Sequence, residues 1–142
     1  MNQENYQLVM NKCFFFEKSS LNFGAAQDNC QQKFLPYTGK LFEPTSTEIF
    51  QAVHMVSKDN GLSGWILTGF EKLDNNGNVS QSSDGSPALI SPWTLDQINN
   101  GFPSQPYIWF HTFSYYKWDD DSAYYSSDSV CERMESGMKI YS

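Results

Sequence analysis

Two groups of residues in this chain have types and spacing that could do chemistry. The first is Trp118-Asp119-Asp120-Asp121, three successive carboxylates beside a tryptophan. Ionised oxygens at that density suit a hard cation, since calcium takes roughly six to eight oxygen ligands, several of them carboxylates. The competing reading is a solvated acidic turn beside a structural tryptophan. The second group is Cys13, Cys30 and Cys131. An odd count fits one bridge plus a free or intermolecular thiol. Around these lie Trp93, Gly101 to Tyr107, Tyr115, Tyr116, Tyr124 and Tyr125. Tyrosine and tryptophan supply large, stiff contact area with polar tips, which suits protein interfaces and metal-free stacking on sugar rings. Catalysis has little support. The histidines, His54 and His111, belong to no nucleophile or zinc arrangement, and no Gly-rich phosphate loop is present. Nothing places two acids across a cleft for glycoside hydrolysis.

The bulk composition limits the partners. At 142 residues the chain reads as a single domain spanning 1–142, long enough to bury about two-thirds of its unfolded surface. Charged residues are 18% and aromatics 16%, which describes a folded chain rich in Phe, Tyr and Trp. A net charge of -7 argues against nucleic acid, because phosphate binding needs a basic face. A charged partner would be basic, or a cation. No apolar run approaches a membrane span. Met1 to Gln7 shows neither a basic n-region nor an apolar h-region, so no signal peptide is expected within the sequence. Asn78-Val79-Ser80 is a glycosylation sequon in a Gly/Asn-rich stretch, and it favours an extracellular origin weakly.

The elements that must position these residues follow from patterning. Val9 to Phe16 predicts a strand, with three phenylalanines of high β character. Ser19 and Ser20 offer N-caps for a helix whose buried stripe is Phe23, Ala26, Cys30 and Phe34, ended by Pro36 and Gly39. Leu41 and Phe42 form a short extended link. Thr45 to Glu48 has the capping-box pattern with Thr45 as cap, opening a second helix with Ile49, Val53 and Val56 inward and Asn60-Gly61 at its close. His54 is expected at the surface or boundary of that helix. Trp65 to Gly69 reads as a central buried strand. Residues 74–106 lose periodicity and read as a long loop, the kind that is usually functional. Strands return at Tyr107 to Phe113, Tyr115 to Trp118 and Ser129 to Arg133, with Trp65, Trp109 and Trp118 in the core. The order predicts an α+β domain whose terminal strands pair in one sheet.

With these elements in place, the chain resembles the C-type lectin-like domain over nearly its whole length. Phe23-x-x-Ala26-x-x-x-Cys30 matches the family's first helix, with Phe where Trp is usual. Leu41-Phe42-Glu43-Pro44 running into Thr47-Glu48 looks like the approach to its second helix. Gly64-Trp65-Ile66-Leu67 looks like its Trp-Ile-Gly strand with the glycine displaced to Gly69. Ser83-Asp84-Gly85-Ser86 followed by Trp93 is similar to the start of its long loop, Trp118-Asp119-Asp120 to its Trp-Asn-Asp, and Val130-Cys131-Glu132 to its final Cys-Glu. The pieces follow in the family's order and spacing.

The resemblance implies two helices packed on small antiparallel sheets, a long irregular loop region at about 74–106, and a bridge from Cys30 to Cys131. That bridge would close about 100 residues and contribute up to roughly 4.7 kcal/mol in the chain-entropy model of cross-links. The family's second bridge, at the loop base, would fall at Trp109 and Ala123, so this chain is a divergent member without it, and its loop is expected to be more mobile. Cys13 aligns with an optional cysteine of an N-terminal hairpin whose partner is absent, and it is a buried thiol or a link to a homo- or hetero-oligomer.

Calcium-dependent members hold the cation with a Glu-Pro-Asn or Gln-Pro-Asp tripeptide in the loop, a Glu just before the loop-base cysteine, and the Asn-Asp of Trp-Asn-Asp. Here Asp119 and Asp120 supply the last place only. Tyr107 and Ile108 precede Trp109, and Gln105-Pro106 lies too close to Trp109 with Tyr107 in the third ligand's position. Completing a site would need Asp121, Asp96 or Asp84. The resemblance therefore implies an extracellular, non-catalytic recognition module, secreted or an ectodomain, binding a protein or glycan surface without calcium or another cofactor in the usual loop site. Its candidate contacts are Gln105, Tyr107, Tyr115, Tyr116, Asp119 and Asp120. The alternatives are a calcium-dependent carbohydrate-binding lectin and a structural or assembly subunit of an extracellular complex.

Overall fold

A computed structural model describes residues 6–72, 79–81, 83–89, 107–112, 114–121 and 126–134, giving the backbone alone for 72, 79, 107, 111 and 114–121. In chain order the elements are β1 (Tyr6–Val9), β2 (Lys12–Leu21), α1 (Phe23–Lys33), β3 (Gly39–Leu41), α2 (Thr47–Asp59), β4 (Trp65–Lys72), β5 (Val79–Gln81), β6 (Tyr107–His111), β7 (Ser114–Asp121) and β8 (Ser127–Arg133).

Phe14, Phe15 and Phe16 show how the core divides. Successive strand residues face opposite sides of a sheet. Phe14 and Phe16 join one cluster with Ile49, Phe50 and Val53 of α2 and with Ile66, Ile108, Phe110 and Val130. Phe15 joins a second cluster with Phe23, Ala26 and Cys30 of α1 and with Leu41, Leu67, Trp109 and Cys131. The sheet thus carries a helix and an apolar cluster on each face. Its strand order is β1-β2-β8-β4-β6-β7, with β3 also on β8 and β5 also on β4. The terminal strands pair antiparallel, Phe15 opposite Cys131, while β4 and β8 run parallel at Ile66 and Leu67. This is an α+β arrangement.

Cys30 and Cys131 form a disulfide with a Cα–Cα distance of 5.2 Å across a sequence separation of 101. Cys13 takes no part in it and is half-buried. The four stripe residues of α1 are buried, and its cap is Asn22, whose side chain accepts from Ala25 N–H. Ser19 and Ser20 do not cap it, because β2 runs on to Leu21, which pairs with Ser127. The single strand expected from Val9 to Phe16 is instead a hairpin, turning at Met10 and Asn11. Both turn residues have positive φ (51° and 66°), which matches the twist of a two-residue hairpin. Ser46, not Thr45, caps α2 by accepting from Ile49 N–H. His54 is buried, only 5% exposed, with its ring 5.8 Å from those of Phe50 and Phe110. The inward face of α2 is wide, taking in Ile49, Phe50, Val53, His54 and Ser57, so it absorbs a position that a narrower stripe leaves outside. The expected loop at 74–106 contains β5, which pairs with the end of β4 at Phe70–Lys72.

Gly39 is where the turn after α1 meets the helix. A Cβ there would collide with the carbonyl oxygen of Cys30 and come within 2.6 Å of Phe34 Cδ2. Neither obstacle can step aside, since one is helix backbone and the other a buried ring. Gly39→Ala should lower the free energy of unfolding by about 3 kcal/mol, the upper end for overpacking, read from urea denaturation with the disulfide intact.

Candidate functional site

The last two antiparallel strands carry the predicted site residues. Register sets Tyr107 opposite Asp121, Ile108 opposite Asp120 and Trp109 opposite Asp119. The three aspartates therefore lie on β7 against the start of β6. Consecutive register positions alternate between the faces of a ladder, so Asp119 and Asp120 occupy positions on opposite faces. Farther along, Phe110 pairs with Trp118 and His111 with Ser114, so the ladder breaks at Tyr115, Tyr116 and Lys117. Such bulges interrupt regular pairing and recur beside functional sites. Gln105, Trp93, Asp96, Ala123, Tyr124, Tyr125 and the Asn78 sequon lie outside the described residues.

On β6 the side chains are informative. Ile108 is fully buried, and Trp109 is 3% exposed within the cluster that contains the disulfide. Trp109 Nε1 is buried with no hydrogen-bond partner among the described residues. Trp65, expected in the core, is partly buried against the same cluster. Asp84 lies on an exposed turn, where its Oδ1 accepts from the hydroxyl and backbone N–H of Ser86 at 2.7 and 2.9 Å. Those two bonds hold its carboxyl below the usual range. Among the residues with described side chains, no three of His, Cys, Asp and Glu come together as a group that could hold a metal.

A second polar constellation, which sequence patterning does not reveal, is built around two buried glutamates. Glu132, on β8 next to Cys131, is 2% exposed; Glu43, on the link between β3 and α2, is 1% exposed. Glu132 Oε1 lies 3.2 Å from Lys12 Nζ, and its Oε2 accepts from Glu43 N–H at 2.7 Å. The Glu43 carboxylate accepts from Lys40 Nζ at 2.8 Å, from the Ser83 hydroxyl at 2.8 Å and from Ser83 N–H at 2.9 Å. Gly69 makes this approach feasible, because a Cβ on β4 there would lie 2.7 Å from Glu43 Cγ. The one signal in the sequence is a charged residue inside the apolar run Leu41-Phe42-Glu43-Pro44. Burial pushes the Glu132 carboxyl up, opposed in turn by Lys12, the Glu43 N–H and Lys40. Glu71 is also raised, first by desolvation and then by the negative charge of Glu43.

This architecture is that of the C-type lectin-like domain. No family profile matches the sequence, and no curated protein matches it either. Solved structures do. The C-type lectin CEL-I from Cucumaria echinata aligns at 19% identity and a TM-score of 0.77, covering 94% of this chain and 99% of that one. The C-type carbohydrate-recognition domain of cow CD23, solved in the presence of GlcNAc2Man3 oligosaccharide, aligns at 18% identity and 0.73, covering 94% and 96%. A calcium-independent type II antifreeze protein aligns at 21% and 0.71, covering 94% and 96%. At these identities the likeness defines the fold, and the chain has the C-type lectin-like fold.

The raised carboxyl of Glu132 makes a pH-dependent stability term whose sign is fixed. A carboxyl whose folded pKa is raised binds its proton more readily when folded. Its contribution is therefore fully present below the unfolded carboxylate range and is lost as pH rises through the raised folded value. Glu132→Gln should flatten the fall in melting temperature as pH rises above the ordinary carboxylate range, relative to the unaltered chain. Lys12→Met should destabilise by about 3 kcal/mol at neutral pH, because it strands a buried charge, and by much less once Glu132 is protonated.

Proposed function

We propose that this chain is an extracellular, non-catalytic recognition module that binds a protein or glycan surface without calcium in the usual loop site, with residues 1–142 acting as a single domain. The observation that carries the reading is the pair Tyr107 and Ile108, neither of which is a carboxylate. The resemblance puts a calcium-ligating glutamate just before the loop-base position, and here Tyr107 and Ile108 precede Trp109, with Ile108 fully buried beside the buried indole. An aliphatic side chain in the core offers no oxygen to a hard cation.

The fold tolerates this reading. It is shared with an antifreeze protein described as calcium-independent and with a domain solved in the presence of an oligosaccharide. The proposed contacts are Gln105 and Tyr107 at the end of the loop, Tyr115 and Tyr116 at the break in the β6–β7 ladder, and Asp119 and Asp120 beyond it. Tyrosines supply the stiff contact area, and the aspartates favour a basic or hydroxyl-rich ligand. The disulfide supports an oxidising compartment. Among the described residues no helix is long and apolar enough to cross a membrane. A further reading, assembly through the N-terminal hairpin, is favoured by Leu8, which is 74% exposed and pairs across from Cys13. A covalent dimer band on a non-reducing gel that collapses with reductant would support it, and a strictly monomeric band removes the disulfide-linked form.

Melting with calcium and then with excess chelator should give midpoints within about 1 °C, since a ligand that does not bind the native state cannot shift its stability. A chelator-induced fall of several degrees defeats the metal-free reading. On a glycan array, binding unchanged by chelator would mark a metal-free glycan reader, and binding lost with chelator would mark the calcium-dependent lectin instead.

A further inference from the structure

The turn that follows β5 stands out of the fold yet is tied to its interior. Ser83, Asp84, Gly85, Pro87 and Leu89 are all exposed. The turn closes on itself through Gln81 N–H to Ser86 O at 2.7 Å and Gly85 N–H to Gln81 O at 2.8 Å. Those bonds shape it but do not fix where it stands. Among the described residues, its placement rests on the short pairing of β5 with β4, on the bridge between Ser80 and Pro87, on Ala88 packed against the apolar cluster beneath α2, and on the two bonds from Ser83 to Glu43.

We propose that Glu43 is a positioning residue whose buried carboxylate clamps this exposed turn to the core. Three donors from two directions converge on that carboxylate: Lys40 Nζ from β3, and the hydroxyl and N–H of Ser83 from the turn. Glu43 is itself held, because its N–H donates to Glu132, which is in turn paired with Lys12 of β2. A chain of contacts therefore runs Lys12–Glu132–Glu43–Ser83 across β2, β8, the β3–α2 link and the turn. Gly69 leaves room for the carboxylate against β4, and the same closeness makes Glu71 feel its charge. Among the residues with described side chains, the charged groups facing Glu43 are Lys40, Glu71 and Glu132, with Lys12 beyond Glu132 and with Asp84 on the turn, where Lys40 also acts on it. A charged acceptor binds N–H and O–H donors about twice as strongly as a neutral one, so Gln in place of Glu43 keeps the shape and loses the grip. This inference stands whether or not the recognition reading holds, since it concerns what fixes the turn and not what binds there.

Amide hydrogen exchange by NMR on the oxidised chain tests it. In Glu43→Gln, exchange at Ser83, Gln81 and Gly85 should quicken by about tenfold or more, while Val53 in α2 and Val130 in β8 keep their protection. The Glu71 carboxyl should titrate lower in the same variant, a change that loosening of the turn alone would not produce. Ser83→Ala keeps the N–H and loses the hydroxyl, so it should quicken the turn amides by less and leave Glu71 where it was. Unchanged exchange at Ser83 in Glu43→Gln overturns the proposal, and so does a uniform quickening that includes Val53 and Val130. If Glu43→Gln fails to fold, Ser83→Ala decides: faster exchange at Gln81 and Gly85 supports the clamp, and unchanged exchange overturns it.

Discussion

The bond between Cys30 and Cys131 holds a helix against a strand that pairs with three others. Cys131 lies on β8, which pairs with β2 and β3 antiparallel and with β4 parallel. Its register row runs Phe15, Cys131, Leu41, so the sulfur rises from the floor of an apolar layer whose other wall is α1. Closing a loop of about 100 residues removes up to roughly 4.7 kcal/mol of chain entropy from the unfolded state. Much of what orders this domain is therefore a contact between its first helix and its last strand. The paired terminal strands and the buried face of α1 are mutually dependent, because each supplies the surface on which the other is buried.

Beside that apolar lock lies a polar one, and its energetics are close to balance. At 3.2 Å and an effective dielectric of about 20, an ion pair such as Lys12–Glu132 gains roughly 5 kcal/mol of Coulomb energy, while desolvation removes several kcal/mol per ion. The Glu132 carboxyl still lies above its ordinary value, so desolvation outweighs its partners. Glu43 meets the same problem with more donors, one cation and two groups from Ser83. These carboxylates are better understood as fixing geometry than as adding stability. Apolar residues of similar volume could fill the same space, but they would not choose one placement for the Ser83 turn.

How far the sequence reveals such features depends on the range of the interaction. The stripe Phe23, Ala26, Cys30 and Phe34 is a local pattern, and all four residues are buried as its spacing implies. The first hairpin is hidden because Met10-Asn11 lacks the Asn-Gly or Asp-Gly signature that usually announces two residues with positive φ. At α2 three successive hydroxyl residues, Thr45, Ser46 and Thr47, compete for the cap, and only φ and ψ separate them. His54 falls outside a narrow apolar stripe and is nonetheless buried, because the helix turns a face two residues wide to the core. Glu43 and Ser83 lie 40 positions apart, and no periodicity links them. Of the candidate binding residues, the carboxylate run on β7 is conspicuous from its types alone. Its register against β6, which separates Asp119 from Asp120, is not.

Trp109 shows why losing a bridge need not mean losing a fold. The resemblance assigns its position to a loop-base cysteine, and here an indole is buried in the cluster that holds the Cys30–Cys131 bond. Burying a large aromatic side chain removes about 200 Å² from water, which at about 25 cal/mol per Å² contributes up to roughly 5 kcal/mol. A disulfide contributes typically about 2–4 kcal/mol. In net stability the two are interchangeable. In kind they differ, because burial acts only once the core has formed, whereas a cross-link also restrains the unfolded chain. Among the described residues Trp109 Nε1 has no hydrogen-bond partner, and a buried N–H so left costs about 1–3 kcal/mol, which the area of the ring offsets. With Glu43 as a clamp, its bonds to Ser83 supply without covalent chemistry a directional tether of the kind that apolar packing cannot.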